Sequence, residues 1–326
     1  MRWGRRGALV AAAILGFVGV IDGAAAQNYP SRPVRVVLPF PPGGAIDALV
    51  RPISQRFQEL TGHPFVVDNR PGAGGNLGPE IAASAAPDGY TLLVIPTSGY
   101  AIATALYEKL NYDLLRDFVP ITMMATNPHV LVVHPSVPAK TVGELIALAT
   151  AKPGQITVAS QGVGTVSHLE GELFRSMAKI EWLHVPYKGS TPALADLTGG
   201  QVQVFFDSIA ASRPHVLAGR TRALAVTPAQ RTGVWPEIPT IAESGLPGYA
   251  GLTYFAMVAP AGTPKDIVAM LNKTLVQILG EPAMKERLVA AGLEPMSSTP
   301  EAVVENLHAE IAKWAPLVKA SGAKPE

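Results

Sequence analysis

Residues Val34-Arg35-Val36-Val37-Leu38-Pro39-Phe40-Pro41-Pro42-Gly43-Gly44-Ala45-Ile46-Asp47 decide the fold. Val34–Leu38 is a nearly continuous β-branched run, the pattern of a strand covered on both faces. The Pro/Gly turn that follows gives way to helical spacing. Ile46, Leu49, Val50, Ile53, Phe57 and Leu60 recur on one face, and Gly62 stands where a C-terminal cap belongs. The same strand–turn–helix unit recurs along the chain. Strands are predicted at Phe65–Val67, Tyr90–Ile95, Val130–His134, Ile156–Ala159, Trp182–Val185, Val202–Phe206, Arg222–Val226 and Tyr254–Val258. Helices are predicted from Val166 to Met177, from Pro264 to Leu279 with Thr263 as N-cap, and from Pro300 to about Val318. Alternation of this kind predicts α/β lobes with parallel sheets and right-handed crossovers.

The chain has 326 residues, more than one hydrophobic core usually serves, so two lobes are expected. No Ser/Gly linker separates two halves, which favours strands that cross between lobes and a C-terminus that returns to the first. The expected division is a leader over 1–26, lobe one over 27–125 plus 250–326, and lobe two over 126–249, with the return crossing between Val226 and Tyr254. The leader reading rests on Arg2, Arg5 and Arg6, the apolar run Ala8–Ile21, and Ala24-Ala25-Ala26 before Gln27. Basic, apolar and small in that order is a secretory signal, and the apolar run is too short to span a bilayer. The mature chain is therefore expected to be soluble, outside the cytoplasm and monomeric.

Lys+Arg total 26 and Asp+Glu 25, and there is no cysteine. A balance this close to zero gives no bulk attraction to nucleic acid. Without cysteine there is no disulfide, thiolate metal site, thiol nucleophile or lipid anchor. Losing the leader removes Arg2, Arg5, Arg6 and Asp22, leaving one more acidic than basic residue. Any anion held by this protein must be attracted locally.

Three loops supply that local attraction. In Phe40–Asp47, a strand, a glycine turn and a helix start place unpaired N–H groups at the carboxyl end of a sheet, an anion site made of dipoles. Phe40, Pro41, Gly43 and Gly44 form its approach; Asp47 either complements the helix dipole or holds the loop. The second loop, Ser160-Gln161-Gly162-Val163-Gly164-Thr165-Val166-Ser167-His168, adds hydroxyl groups beside the amides. Its His168 is either a ligand contact or a first-turn residue bonded to backbone. The third, Pro186-Tyr187-Lys188-Gly189-Ser190-Thr191-Pro192, opens another helix, with Ser190 or Thr191 as N-cap, and carries the cation Lys188. Thr97-Ser98-Gly99-Tyr100 is expected beside the first loop. Asp207, at a strand end, is placed to meet a ligand, orient a loop or cap a helix.

Other chemistries fit poorly. The second loop lacks the third glycine of a dinucleotide fingerprint, which would fall at Ser167, and Glu181 precedes its strand rather than following it. There is no Gly-x-Ser-x-Gly elbow and no zinc-binding histidine spacing, so no cofactor or metal is expected. A hydrolase or lyase using Asp47, His168 or Asp207 as acid or base needs a paired spacing that the sequence does not offer.

Taken together, the motifs resemble the extracytoplasmic receptors of tripartite tricarboxylate transporters, the Bug receptor family. The resemblance runs through Tyr29-Pro30-x-Arg32-Pro33, Val36–Asp47, Val67-Asp68-Asn69-Arg70-Pro71-Gly72-Ala73-Gly74-Gly75-Asn76 and Pro87-Asp88-Gly89-Tyr90-Thr91-Leu92-Leu93. It continues through Gly162-x-Gly164-Thr165-x-x-His168, Val185-Pro186-Tyr187-Lys188-Gly189, Phe206-Asp207-Ser208 and Pro239-Thr240-Ile241-Ala242-Glu243-Ser244-Gly245. It implies a bilobal periplasmic-binding-protein (Venus-flytrap) fold, a periplasmic location, and a receptor, not an enzyme. It also implies a small carboxylate ligand, whether dicarboxylate, tricarboxylate, acidic amino acid or aromatic acid, and delivery to membrane permease subunits. Carried over, Phe40, Pro41, Gly43, Gly44 and Asp47 form one side of the site. Gly164, Thr165, His168, Tyr187, Lys188, Gly189 and Asp207 form the other, and Ser98 is expected toward the ligand's far end. The same fold also serves receptors that hand a ligand to a signalling membrane protein.

Overall fold

The computed structural model describes residues 29–325, so the expected leader over 1–26 lies outside the described residues. Strand β1 (Val34–Leu38) runs into helix α1 (Ala45–Thr61), which ends at Gly62 in the left-handed conformation with its N–H bonded to the Gln58 carbonyl. Val34, Val36 and Leu38 are buried against Ile46, Leu49, Val50, Ile53 and Phe57 of that helix. Each of these side chains contributes about 1.5–3 kcal/mol by leaving water, which is why the periodicity was legible.

Two sheets organise the chain. The first contains β1, β2 (Phe65–Asn69), β3 (Thr91–Pro96), β4 (Phe118–Asn127), β10 (Thr253–Pro260) and β11 (Glu294–Pro295), in the order β11-β4-β10-β3-β1-β2. The second contains β5 (His129–Val133), β6 (Thr157–Ser160), β7 (Leu183–Pro186), β8 (Val204–Ser208) and β9 (Arg222–Val226), in the order β7-β6-β8-β5-β9. The first sheet thus draws on 34–127 and 253–295, and the second on 129–226. Pro128 makes the outward crossing, and residues 227–252 make the return.

The sheets are mixed, which corrects the expectation of parallel ones. β1 pairs parallel to β2 and β3, but β10 runs antiparallel to β3 and β4. In the second sheet β6 is parallel to β7 and β8, while β5 is antiparallel to β8 and β9. The reason is the crossing: β4 carries the chain out of the first sheet, and its neighbour β10 carries it back. Such strands are not joined to their neighbours by βαβ units, so the crossover rule does not set their direction.

Two helix starts also differ from expectation. Pro264, not Thr263, caps α8 (Lys265–Gly280), because the Thr263 hydroxyl donates back to the Pro260 carbonyl (2.8 Å). Gly189, not Ser190 or Thr191, caps α6 (Ser190–Thr198), because Ser190 is drawn to Asp207. The last helix, α10 (Pro300–Ser321), packs against both α3 (Thr97–Leu106) and α5 (Val166–Ala178). Trp314 and Val318 of α10, Ala101 and Ile102 of α3, and Val166 and Leu169 of α5 form one buried cluster that joins the two halves. Among the described residues no helix is long and apolar enough to cross a membrane.

Candidate functional site

The first loop is held from below. Arg51 grips Asp47 with two bonds, Nε to Oδ2 at 2.6 Å and Nη2 to Oδ1 at 2.9 Å. The Gly43 N–H donates to Asp47 Oδ2 (3.2 Å), and Asn69 Nδ2 donates to both the Phe40 carbonyl (3.0 Å) and Asp47 Oδ1 (3.3 Å). The hydrogen bonds from Arg51 hold the Asp47 carboxyl below its usual range. Of its two sequence readings, Asp47 holds the loop. Above it, Pro41, Gly43 and Gly44 are exposed, and the helix start at Gly44 has no side-chain cap, so first-turn N–H groups of α1 stay open. The Phe40 ring packs on the backbone of Gly75.

The second loop is tied into itself. Thr165 caps α5: its hydroxyl accepts the His168 N–H (3.3 Å) and donates to the Gly162 carbonyl (2.8 Å). His168 is buried; its Nδ1 accepts the Gly164 N–H (3.1 Å), and its ring stacks on His184 with centroids 4.0 Å apart. Burial, assisted by His184, pushes His168 down to about 3, so the imidazole is neutral and its proton sits on Nε2. Gly164 has φ +74, and a side chain there would run into Leu106 at the end of α3. That glycine is one of the places where the two lobes meet.

The third loop is bound to the second. The Tyr187 N–H donates to the Ser160 carbonyl (3.0 Å), and the Gly189 N–H to the Gln161 carbonyl (3.1 Å). The Tyr187 hydroxyl donates to Asp196 (2.7 Å), and Lys188 is exposed. Asp207 is the knot behind both loops. It is fully buried; Oδ1 accepts from Gln161 Nε2 and Ser190 Oγ, and Oδ2 from Ser212 Oγ, each at 2.8 Å. Burial holds its carboxyl above the usual value. Of its sequence readings, this arrangement is the loop-orienting one. Ser98 is likewise buried, its hydroxyl donating to the Leu252 carbonyl on the return crossing (2.8 Å).

A cleft of about 600 Å³ lies between the lobes. Of the candidate site residues, Thr165, Tyr187 and Lys188 line it; the first loop, Ser98, Gly164, His168, Gly189 and Asp207 do not. Facing them from the first lobe are Ala73, Gly74, Asn76, Leu106 and Tyr107, with Gln161 and Val163 on the second-lobe side. Ala73–Asn76 entered the sequence reading only as the end of the motif Val67–Asn76. Leu106 and Tyr107 carried no local signal at all: they reach the cleft because α3 ends there. Lys109 and Lys188, one from each lobe, stand at its rim, and neither is paired with a carboxylate among the described residues. Among the described residues no group of His, Asp and Glu is arranged to hold a metal ion.

Two α/β lobes, two crossings and a cleft walled from both sides define a bilobal solute-binding protein. The family model for the tripartite tricarboxylate transporter family receptor matches residues 49–323, and the chain belongs to that family. It is 37% identical to the protein BugT of Bordetella pertussis, over 94% of each chain. Among solved structures it resembles an R. palustris protein determined with adipate: 38% identity, TM-score 0.82, covering 91% of this chain and all of that one. It also resembles MatC of Rhodopseudomonas palustris with bound malate: 32% identity, TM-score 0.76, covering 89% of this chain and all of that one.

Proposed function

We propose that this protein is a periplasmic receptor that captures a small carboxylated organic acid between its lobes and delivers it to a tripartite membrane permease. Residues 27–125 with 250–326 act as one lobe and 126–249 as the other. The observation that carries the reading is the cleft itself, with Ala73–Asn76 on one wall and Gln161–Thr165 and Tyr187–Lys188 on the other. Outside its lining, the helix starts at Gly44 and Gly189 carry no side-chain caps, and open amides of that kind suit a carboxylate. Lys109 and Lys188 add positive charge at the rim of a chain with almost none to spare. Relatives solved with adipate and with malate support a dicarboxylate.

Closure is a hinge motion about Pro128 and residues 227–252. A ligand that touches both walls shifts the population only by its differential affinity for the closed form. Binding without turnover fits the state of the acid–base candidates: Asp47 is gripped by Arg51, His168 is neutral, and Asp207 is buried behind three donors. The test is calorimetric titration of ligand-stripped protein with mono-, di- and tricarboxylates. A bound acid at 100 times its dissociation constant stabilises the fold by about 2.7 kcal/mol, readable as a raised melting temperature. Silence across the whole panel would sink the reading.

A further inference from the structure

The two walls of the cleft differ in what they leave open to a ligand. On the second-lobe wall most polar groups are already used. Gln161 Nε2 is turned to Asp207, and the Thr165 hydroxyl donates to the Gly162 carbonyl. The Gly162 N–H donates to Ser160 Oγ (3.2 Å) and the Gly164 N–H to His168 Nδ1. The N–H groups of Val163 and Lys188, two residues that line the cleft, have no partner among the described residues. Two open amides from loops bonded to each other, with the Lys188 ammonium beside them, make a seat for one carboxylate.

The first-lobe wall presents Asn76, Glu80, Tyr107 and Lys109. Asn76 is spent: its Oδ1 accepts the Tyr112 hydroxyl (2.6 Å) and its Nδ2 donates to the Ala73 carbonyl (2.9 Å). Glu80 Oε1 accepts from Asn111 Nδ2 (3.1 Å), and the charges of Glu80 and Lys109 offset each other on this wall. Tyr107 is different. It ends α3, where its N–H donates to the Ala103 carbonyl (3.0 Å), and the Leu106 side chain before it meets Gly164 of the other lobe. Its ring is half-buried, and its hydroxyl lies against Gly74 on the same wall: a Cβ there would stand 2.5 Å from the oxygen. Gly74, at φ +65, is the residue that leaves this place free. The Tyr100 hydroxyl donates to the Gly75 carbonyl (2.7 Å) and that of Tyr112 to Asn76, but the Tyr107 hydroxyl makes no hydrogen bond among the described residues. A phenol held on a binding wall with its polar end unused is set for a partner from outside the chain.

We propose that Tyr107 is the specificity-determining residue of the cleft: its hydroxyl donates to the second carboxylate of a ligand whose first carboxylate sits on the Val163 and Lys188 amides. This rests on the carboxylate reading of the cleft and adds which atom reads the far end. With Lys109 and Glu80 offsetting each other, discrimination on this wall falls to a hydrogen bond and not to net charge. An acid of the same length with a methyl group at the far end strands the hydroxyl without a partner once the lobes close, and a polar group so stranded is what makes discrimination large. The hydroxyl ties nothing in the protein itself, so its removal takes nothing from the fold.

The experiment is calorimetry on wild type and Tyr107→Phe at about pH 7.5, where every carboxyl used is ionised. Two matched pairs are titrated, adipate with hexanoate and malate with 3-hydroxybutyrate, each pair differing by a methyl group in place of one carboxyl. The expected result is a loss of about tenfold or more in affinity for the diacid that binds, and of less than about twofold for its monoacid. The melting temperature of the ligand-free variant is expected to match wild type. Diacid affinity unchanged in Tyr107→Phe, or diacid and monoacid weakened equally, overturns this proposal and leaves the carboxylate reading standing. So does a wild type that prefers the monoacids. No heat from any of the four acids overturns both. Should the monoacids bind too weakly to titrate, NMR of the Tyr107 ring, assigned by its loss in Tyr107→Phe, decides: a shift on saturation with the diacid is expected, and an unmoved resonance overturns the proposal.

Discussion

Asp207→Ala removes the acceptor that fastens two ligand loops to the second sheet. Three donors lose their partner: the Gln161 amide, the Ser190 hydroxyl and the Ser212 hydroxyl, all at 2.8 Å. A hydrogen bond to a charged group contributes about 1.5–3 kcal/mol net. The three do not add fully, because deletion also relieves the desolvation of a buried carboxylate. Gln161 and Ser190 are half-buried and reach water after the change, whereas Ser212 is fully buried and cannot. The expected loss is about 3–5 kcal/mol of unfolding free energy, the range for breaking a buried charged network at one partner. Asp207→Asn keeps one oxygen for Gln161 and Ser190, and the Ser212 hydroxyl can rotate to accept from the new amide, so about 1–2 kcal/mol is expected. Urea denaturation reads both, with the midpoint moving and the slope unchanged. An Ala variant within about 1 kcal/mol of wild type, or an Asn variant no better than Ala, refutes the assignment of Asp207 as the tie between the loops.

Other consequences are as specific. Gly164→Ala forces a side chain into the left-handed region, costing about 1–2 kcal/mol, and displaces Leu106 across the cleft; scattering should report a wider interlobe angle, and an unchanged profile argues against Gly164 as a contact point. Thr165→Ala deletes the α5 cap, with an expected loss of about 1 kcal/mol in thermal unfolding. Trp314→Ala empties the centre of the cluster joining α3, α5 and α10, for about 3–5 kcal/mol in denaturant titration; a small effect would mean the halves are held together elsewhere. Asp47 has a depressed folded pKa, so its contribution is present above the unfolded carboxyl value and lost as pH falls through the folded one. Asp47→Asn should therefore flatten the acid limb of the stability–pH curve, and an acid limb identical to wild type contradicts the Arg51–Asp47 tie.

How much of this was legible in the sequence depends on the kind of signal. β1 and β9 were read to the residue because a nearly continuous apolar run marks a covered strand. β4 was not read, because Pro120, Thr122 and Asn127 break its pattern. Pro120 is tolerated there because it sits at an irregularity of the β10 pairing, next to the shift between Met257 and Val258. Strand direction was beyond periodicity, since a crossing strand looks like any other. The glycine loops announced themselves, but which atom each hydroxyl would meet did not. Asp207 at a strand end left a ligand contact, a loop tie and a helix cap all open, and only the packing shows its oxygens already occupied. Leu106 and Tyr107 enter the cleft through the placement of α3, which no local pattern records.

The account's central claim is that a carboxylate sits in the cleft between the lobes. A crystal structure of the protein soaked or co-crystallised with adipate tests this most directly. The account predicts a carboxylate group in the cleft between Ala73–Asn76 and Gln161–Thr165, hydrogen-bonded to backbone amides from both lobes. Adipate bound outside the cleft, or held by one lobe alone with the other making no contact, would contradict it.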